Sequence, residues 1–309
     1  MTQLKTRIGA PVRPFSFGTM QFGGTADHDT SSAMFHACLE AGITHFDTAY
    51  LYNDGASEQI LGALIKGRDD LYIATKVGYQ GTCTKAQMMA QFETCLSRLQ
   101  RDHVDLLYLH HLSPGADLRE IVDMLATVQA KGQIRHLGLS NLAAWQVMQA
   151  QSYAADFGTR IDVLQPMYNL VKRQAEVEIL PMCADQGIAI CTYSPLGGGL
   201  LTGKYASGGT GRLTEDMRYN ARYDVPAMAQ AAQDLSVIAA DMSMHPATLA
   251  AAWVAASPFG TQPILSARNV DQLGPSLAAL NFEMDAALYA RLSALMPTPP
   301  PATDRLEEQ

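Results

Sequence analysis

The chain has 309 residues, 48% of them hydrophobic and 17% charged, with 22 basic against 30 acidic side chains and a formal net charge of −8. That length suits one large α/β barrel or two domains, and the acidic balance, with no Lys/Arg cluster to track phosphates, argues against nucleic acid as a partner. No run of about 18 uncharged apolar residues occurs and the stretch from Met1 to Arg7 lacks a signal peptide's apolar core, so a cytoplasmic protein with no membrane partner is expected. Cys38, Cys83, Cys95, Cys183 and Cys191 are an odd set without a C-x-x-C pair, which predicts reduced, buried thiols.

In chain order, Phe15–Met20 reads as a short strand and Ser31–Ala41 as a helix stopped at Gly42, a residue suited to the left-handed position after a helix. Ile43 and Phe46 around Thr44 suit a second strand, and Asn53-Asp54-Gly55 a turn, before Ser57-Glu58-Gln59 leads into an apolar-periodic helix. Asp47 and Tyr52 fall where that strand gives way to the turn. Leu71–Lys76 is a third strand. Thr84-Lys-Ala-Gln87 has capping-box spacing and opens a helix whose Met88, Phe92, Cys95, Leu96 and Leu99 share a face. Val104–His110 is a fourth strand, Leu118–Lys131 a helix stopped at Gly132, and Ile134–Leu139 a fifth strand running into Ser140-Asn141, with a helix over about 142–155. Ile161–Gln165 and Ile188–Tyr193 are strands six and seven, separated by a helix near 173–186.

Gly197–Val225, with Gly208, Gly209 and Gly211, is too long and glycine-rich for a plain connector and reads as a functional loop. Helices near 227–242 and 246–256 follow, then an eighth strand at Gln262–Leu265, a helix after Asn269 and a supplementary helix over Met284–Leu295. The Pro-rich tail, 297–309, is expected to be mobile. Strands alternating with helices imply parallel pairing through crossovers. The predicted fold is therefore α/β: a (β/α)8 TIM barrel spanning 1–309 as a single domain, with an N-terminal strand, a long loop after strand seven and a supplementary C-terminal helix. The rival, a doubly wound sheet, lacks its G-x-G-x-x-G fingerprint here.

The strands end in Asp47, Lys76, His110, Ser140-Asn141, Gln165 and Tyr193, which a barrel gathers at one mouth. Singly, each has a plainer explanation: Lys76 as a solvated ammonium, His110 as a core histidine, Gln165 as a partner of loop backbone. A polar or ionisable residue closing nearly every strand is much less expected of packing alone. With Lys76 beside Tyr52 and Asp47, the ammonium stabilises phenolate and lowers the phenol pKa from about 10, making the tyrosine a usable acid or base. Asp47 then pairs with Lys76 and keeps it charged, and His110 orients a substrate oxygen. The set calls for no metal: His110 and His111, as strand neighbours, point to opposite faces, and no H-E-x-x-H or Cys/His ligand spacing occurs. A G-x-S-x-G nucleophile elbow is also absent. Gly198–Lys204 matches the first seven positions of a P-loop, but Tyr205 stands where Ser or Thr should hold magnesium, so it reads only as a glycine hinge beside a phosphate.

These residues resemble the aldo-keto reductases over essentially the whole chain. Asp47-Thr-Ala-Tyr50-Leu-Tyr52 with Glu58 is similar to the family's first signature, Ala74-Thr75-Lys76 to its lysine strand, and Asp105 followed five residues later by His110 to its histidine strand. Gly138-Leu-Ser140-Asn141, Gln165-Pro-Met-Tyr168-Asn169 and the stretch from Tyr193 to Lys204 resemble its nicotinamide-binding signatures. The resemblance implies hydride transfer between NAD(P)H and a small-molecule carbonyl, with Asp47, Tyr52, Lys76 and His110 as the catalytic set and Tyr52 as general acid in reduction. It further implies that Ser140, Asn141 and Gln165 hold the carboxamide, that Tyr193 stacks on the nicotinamide, and that Ser194, Leu196 and Gly198 approach the pyrophosphate. Ser266, Arg268 and Gln272 fall at the adenosine end. Arg268 there attracts a 2′-phosphate, so NADPH is expected; NADH is the alternative, because Pro275 and Ser276 stand where many relatives carry Glu and Asn.

Gly18–Gly23, Tyr52–Gly62 and Met167-Tyr-Asn169 look most similar to the aflatoxin-aldehyde reductase branch, which also reduces succinic semialdehyde. That branch's C-terminal segment is expected to be missing, since Pro297-Thr-Pro-Pro-Pro301 and an acidic tip occupy its place. Candidate substrate-pocket residues are Phe22, Tyr79 and His111, with Arg218 and Arg222 either clamping a substrate carboxylate or solvated in their loop. Two alternatives share the same residues: an NAD(P)+-dependent dehydrogenase of a sugar or pyridoxine-like alcohol, and a redox-sensing regulatory subunit similar to potassium-channel β-subunits, against which the lack of an inactivation segment counts.

Overall fold

A computed structural model describes residues 2–79, 83–206, 208–305 and 307. The strands β1 (Ser16–Gly18), β2 (His45–Asp47), β3 (Tyr72–Val77), β4 (Leu106–Leu109), β5 (His136–Ser140), β6 (Val163–Gln165), β7 (Ala189–Thr192) and β8 (Thr261–Leu265) close into a barrel in sequence order. Every neighbouring pair is parallel, and β8 returns to β1 with Ile264 opposite Ser16. Parallel neighbours require a crossover, supplied by α1 (His28–Glu40), α2 (Ala56–Leu64), α3 (Lys85–Leu99), α4 (Leu118–Ala130), α5 (Ala144–Asp156) and α6 (Ile179–Asp185). After β7 come α7 (Arg212–Glu215), α8 (Met217–Tyr223), α9 (Pro226–Asp241) and α10 (Pro246–Ala255); α11 (Val270–Ala278) and α12 (Ala286–Ser293) follow β8.

The local signals act as read. Thr84 Oγ1 accepts a hydrogen bond from Gln87 N at 3.4 Å while Gln87 Oε1 accepts one from Thr84 N at 3.3 Å, and the five apolar residues on that face of α3 are all buried. Asn269 caps α11 by accepting from Gln272 N at 2.9 Å. All five cysteines are buried.

Four details differ. α1 starts at His28, because Asp27 accepts from Thr30 N at 2.9 Å and caps the helix a turn earlier. The helix expected near 173–186 is a 3-10 turn at Gln174–Glu176 followed by the shorter α6. The long loop 197–225 contains a 3-10 turn at Gly197–Thr202 and both α7 and α8, joined at Asp216, which accepts from Arg218 N at 2.9 Å; Ser207 lies outside the described residues. Ahead of β1, Lys5 pairs antiparallel with Pro11 and places Leu4 against the apolar barrel interior, closing the floor. Of the Pro-rich tail, Leu306, Glu308 and Gln309 lie outside the described residues.

α12 is held by Trp253 of α10, which is fully buried, stacks on Tyr289 at 5.5 Å and donates its indole N–H to Ser293 Oγ at 2.9 Å. At the opposite end of the barrel from the mouth, Tyr72 Oη lies 2.9 Å from His136 Nδ1, and the fully buried His45 ring meets Tyr72 edge-on at 4.8 Å. Burial, with Lys76 assisting, pushes the His45 pKa from 6.5 down to about 3; burial and Arg135 push His136 down to about 4.

A histidine whose folded pKa is depressed is bound by protons more readily in the unfolded chain, so its stabilising contribution is complete above about pH 6.5 and lost as pH falls through the window down to the folded pKa. The urea midpoint should accordingly drop steadily as pH falls from about 6.5 to about 4, and His45→Leu should flatten that slope. A midpoint independent of pH across this window would contradict the assignment.

Candidate active site

All eight strands run the same way, so their C-terminal ends share one rim. β2 brings Asp47 to it, β3 Lys76, β4 leads into His110, β5 ends in Ser140-Asn141, β6 in Gln165, and Tyr193 and Ser266 directly follow β7 and β8. Of the expected residues, Asp47, Tyr52, His110, Ser140, Asn141, Gln165, Tyr193, Ser194, Leu196, Gly198, Ser266, Arg268 and Gln272 line one cleft of about 1140 Å³. Ordinary small-ligand sites run to roughly 300–1,000 Å³, so this one has room for more than a small carbonyl compound.

Lys76 sits beneath the cleft floor with its side chain wholly buried. Its ammonium has three protons to place, and it has three oxygens: the Asp47 carboxylate in an ion pair, the Thr48 carbonyl at 2.8 Å and Tyr52 Oη at 3.3 Å. The second Asp47 oxygen accepts from Gln165 Nε2 at 2.9 Å, which ties β2 across the barrel to β6. Burial alone would lower the Lys76 pKa, but Asp47 and Tyr52 outweigh it and the net shift is upward, so the ammonium stays charged. An ammonium only donates, so Tyr52 Oη accepts in their shared hydrogen bond and keeps its own proton for another partner.

The Tyr52 pKa moves opposite to the sequence-based expectation. Burial raises it, Lys76 pulls it down, and burial wins, leaving the phenol protonated at neutral pH. His110 is buried, packs edge-on against Tyr52 with ring centroids 5.9 Å apart, and has no hydrogen-bond partner at Nδ1. Burial, then Lys76 and His111, push its pKa down to about 2, so it is a neutral imidazole.

Beside this set, Asn141 takes a left-handed conformation (φ 62°) and is bonded on all sides: Nδ2 donates to the His110 carbonyl at 3.0 Å and Ser140 Oγ at 3.1 Å, and Oδ1 accepts from Tyr193 Oη at 2.7 Å. Ser140 donates to the Gln165 carbonyl at 2.9 Å. Ser194 also has a positive φ (59°), and its carbonyl accepts from Asn169 Nδ2 at 2.9 Å. At Gly198 (φ 67°), a Cβ would lie 2.9 Å from both the Leu213 and Tyr219 side chains, so the backbone can turn there beneath α8 only as glycine.

The far end of the cleft is cationic. Arg268 forms a two-pronged ion pair with Glu215 of α7, and Lys204 and Arg212 also line this end. Burial and the two arginines push the Lys204 pKa down against the pull of Glu215. Lys204, Arg212 and Arg268 outnumber the carboxylates of Glu215 and Asp271 there, a balance suited to phosphate. Ser266 adds a buried hydroxyl with no protein partner. Both observations fit a dinucleotide lying from Ser266 towards Tyr193.

The predicted substrate residues divide. Tyr79 and His111 line the cleft, their rings 5.9 Å apart. Phe22 does not: it is fully buried against Phe17 at 5.7 Å, because the turn at Gly23 directs it into the core, and Met20 and Gln21 face the cleft instead. Arg218 and Arg222 both line the cleft: Arg218 pairs with Asp216 through bonds of 3.1 and 2.9 Å, and Arg222 lies over the Tyr219 ring at 5.2 Å. Sequence reading missed Arg212, Tyr219 and Glu215; the spacing of Tyr219 and Arg222 by three was the available helical signal in the stretch taken as loop. Among the described residues no group of three or more His, Cys, Asp or Glu is arranged to hold a metal ion, and no helix is long and apolar enough to cross a membrane.

Residues 14–296 match the sequence model of the aldo/keto reductase family. The chain is 30% identical over 319 residues to an uncharacterized oxidoreductase, YrpG, of Bacillus subtilis, covering 95% of each. It is 40% identical over 205 residues to aflatoxin B1 aldehyde reductase member 2 of Rattus norvegicus, covering 64% of this chain and 56% of that one, so the match spans little more than half of that relative's length. A probable voltage-gated potassium channel subunit beta of Oryza sativa is 31% identical over 300 residues, with 89% of each covered.

Removing Asp47 leaves a buried ammonium without its counter-ion. Asp47→Ala should lower unfolding free energy by about 3–5 kcal/mol in urea titrations, the scale for breaking one side of a buried pair. Adding Lys76→Met should cost less than the two single changes summed; simple additivity would show that the ion pair does not couple the residues.

Proposed function

The chain belongs to the aldo/keto reductase family, and on that basis we propose that it is an NADPH-dependent reductase of aldehydes or ketones in which Tyr52 is the general acid. The observation that carries this reading is the Tyr52 hydroxyl, accepting from Lys76 at 3.3 Å, kept protonated by burial, and lining the cleft. A phenol held in its acid form suits donation to a developing alkoxide, and so favours reduction over the dehydrogenase direction. Lys76 supplies positive charge next to the phenolate that donation leaves behind, and Asp47 holds that charge in place. His110, neutral, presents an uncharged hydrogen-bonding ring to the substrate oxygen and competes for no proton at working pH.

On this reading Ser140, Asn141 and Gln165 hold the carboxamide, Tyr193 stacks on the nicotinamide face, Ser194, Leu196 and Gly198 approach the pyrophosphate, and Ser266, Arg268 and Gln272 take the adenosine end. When bound, the reduced nicotinamide supplies the hydride. Asn141 already has donors and acceptors engaged with Ser140, His110 and Tyr193. A carboxamide there exchanges hydrogen bonds for existing ones, so its recognition contributes selectivity more than net affinity. A 2′-phosphate would take the place of Glu215 on the planar Arg268 fork, which favours NADPH over NADH. The substrate is a small carbonyl compound, and Arg218 and Arg222, both at the cleft wall, are the arginines we assign to meet an anionic group on it. Aflatoxin aldehyde and similar aldehydes are the first class to try, given the relatives' names.

Tyr52→Phe should leave NADPH affinity, read by coenzyme fluorescence quenching, nearly unchanged and lower turnover of para-nitrobenzaldehyde by at least about a hundredfold. Full activity in that variant would refute the role. Arg268→Ala should weaken NADPH binding while sparing NADH; an unchanged preference between the two coenzymes would sink the 2′-phosphate assignment.

A further inference from the structure

Tyr52 is carried by a short segment whose conformation is costly. Asn53, Asp54 and Gly55 take three successive left-handed conformations, with φ of 49°, 53° and 93°. Asn and Asp tolerate that region better than other side chains, yet such residues persist only where their surroundings over-determine them. One restraint is visible on the barrel side: Asn53 Nδ2 donates to the Met20 and Phe22 carbonyls at 2.9 and 2.8 Å.

The other restraint comes from outside the barrel. Arg98, in the last turn of α3, donates from Nη1 to the Tyr50 carbonyl at 2.8 Å and reaches the Asp54 carbonyl from Nη2 at 3.5 Å. These carbonyls lie two residues before and two after Tyr52, so one planar guanidinium spans the segment. It also lies over the Tyr50 ring at 4.7 Å. Gly55 makes room for it: a Cβ there would sit 2.2 Å from the guanidinium carbon.

The guanidinium is anchored in turn. Glu58 has no exposed side-chain surface; one carboxylate oxygen lies 3.2 Å from Arg98 Nη1, and the other accepts from Thr75 Oγ1 at 2.7 Å. Thr75 precedes Lys76 on β3 and, by strand alternation, faces the helices while Lys76 faces the barrel. The network therefore links the Tyr52 segment to the strand that carries its ammonium partner. Arg98, Glu58 and Thr75 themselves do not line the cleft.

We infer that Arg98, anchored by Glu58, is a positioning residue for proton transfer: it holds the Tyr52 hydroxyl in register with Lys76 and the substrate oxygen while touching neither substrate nor coenzyme. The inference rests on Tyr52 as proton donor. Its loss moves the hydroxyl without altering the coenzyme site, and misplacement of a reacting group by about 1 Å can cost up to about a hundredfold in rate.

The test uses the full-length chain with NADPH and para-nitrobenzaldehyde. Arg98→Ala should lower kcat by about tenfold or more with coenzyme Kd within about twofold of the parent, and added guanidinium, which refills the slot, should restore part of the loss. Should the unpaired Glu58 prevent that variant from folding, Arg98→Lys decides: it keeps a cation for Glu58 but cannot span both carbonyls, and the same loss in kcat is expected. In either variant the solvent deuterium isotope effect on kcat should rise, because proton transfer becomes slower relative to the other steps, which a general loss of folded enzyme does not produce. In a Tyr52→Phe background the Arg98 substitution should add little. Parent-like kcat in the folded variants, or an equally large Arg98 effect in the Tyr52→Phe background, overturns the inference. Full activity of Tyr52→Phe alone overturns instead the acid role on which it rests, so the two failures are distinguishable.

Discussion

The site depends on one buried ammonium. A lysine with no exposed side-chain surface can remain charged only if every proton it carries meets an oxygen, and Lys76 meets three: the Asp47 carboxylate, the Thr48 carbonyl and the Tyr52 hydroxyl. All three belong to β2 or the segment that follows it, so satisfying a single side chain of β3 fixes the path of the chain from Asp47 to Tyr52. The other Asp47 oxygen, bonded to Gln165, extends the constraint across the barrel to β6. Electrostatics and architecture are here the same thing, because the desolvation cost of the cation is offset only in this one arrangement.

That arrangement also sets the direction of the tyrosine proton. The ammonium cannot accept, so the phenol oxygen takes its hydrogen bond from below and its own O–H is left for the cleft. Burial outweighs Lys76 in setting the phenol pKa and keeps the proton on, while the same burial strips His110 of any charge. Around the phenol itself charge is balanced, the Lys76 ammonium being paired with the Asp47 carboxylate. Positive charge collects at the other end, where Lys204, Arg212 and Arg268 outnumber Glu215 and Asp271. A ligand that carries phosphates at one end and an uncharged ring at the other matches this gradient, and the glycine turn at Gly198 lets it approach the backbone between them.

The closed barrel is legible in the sequence because period, turn residues and caps are local: the capping box at Thr84 and Gln87 and the buried face of α3 follow from spacing alone, while the family shows in the resemblance of its strand-end motifs. The same holds for the residues that end the strands, since in an all-parallel barrel every strand end shares a rim whatever the details of packing. Where local reasoning failed, the deciding interaction was between distant residues or depended on a turn's dihedral angles. Phe22 turns inward because the chain bends at Gly23, and neither hydrophobicity nor spacing encodes that bend's direction. The long stretch after β7 folds into α7 and α8, which its glycine content disguised.

Residue identity by itself determined which chemistry is available here: an acid, a phenol, an ammonium and an imidazole at successive strand ends, and an arginine where a phosphate is wanted. Tertiary structure decided the state of each. The sign of the Tyr52 shift is a contest between desolvation and one neighbouring charge, and desolvation is a property of the packed environment that no spacing in the chain can express. The conformation of the Tyr52 segment is likewise settled from afar, by a guanidinium 46 positions along the chain, whose carbonyl partners flank the tyrosine. Only once the barrel has closed and α3 has packed against α2 are those groups neighbours.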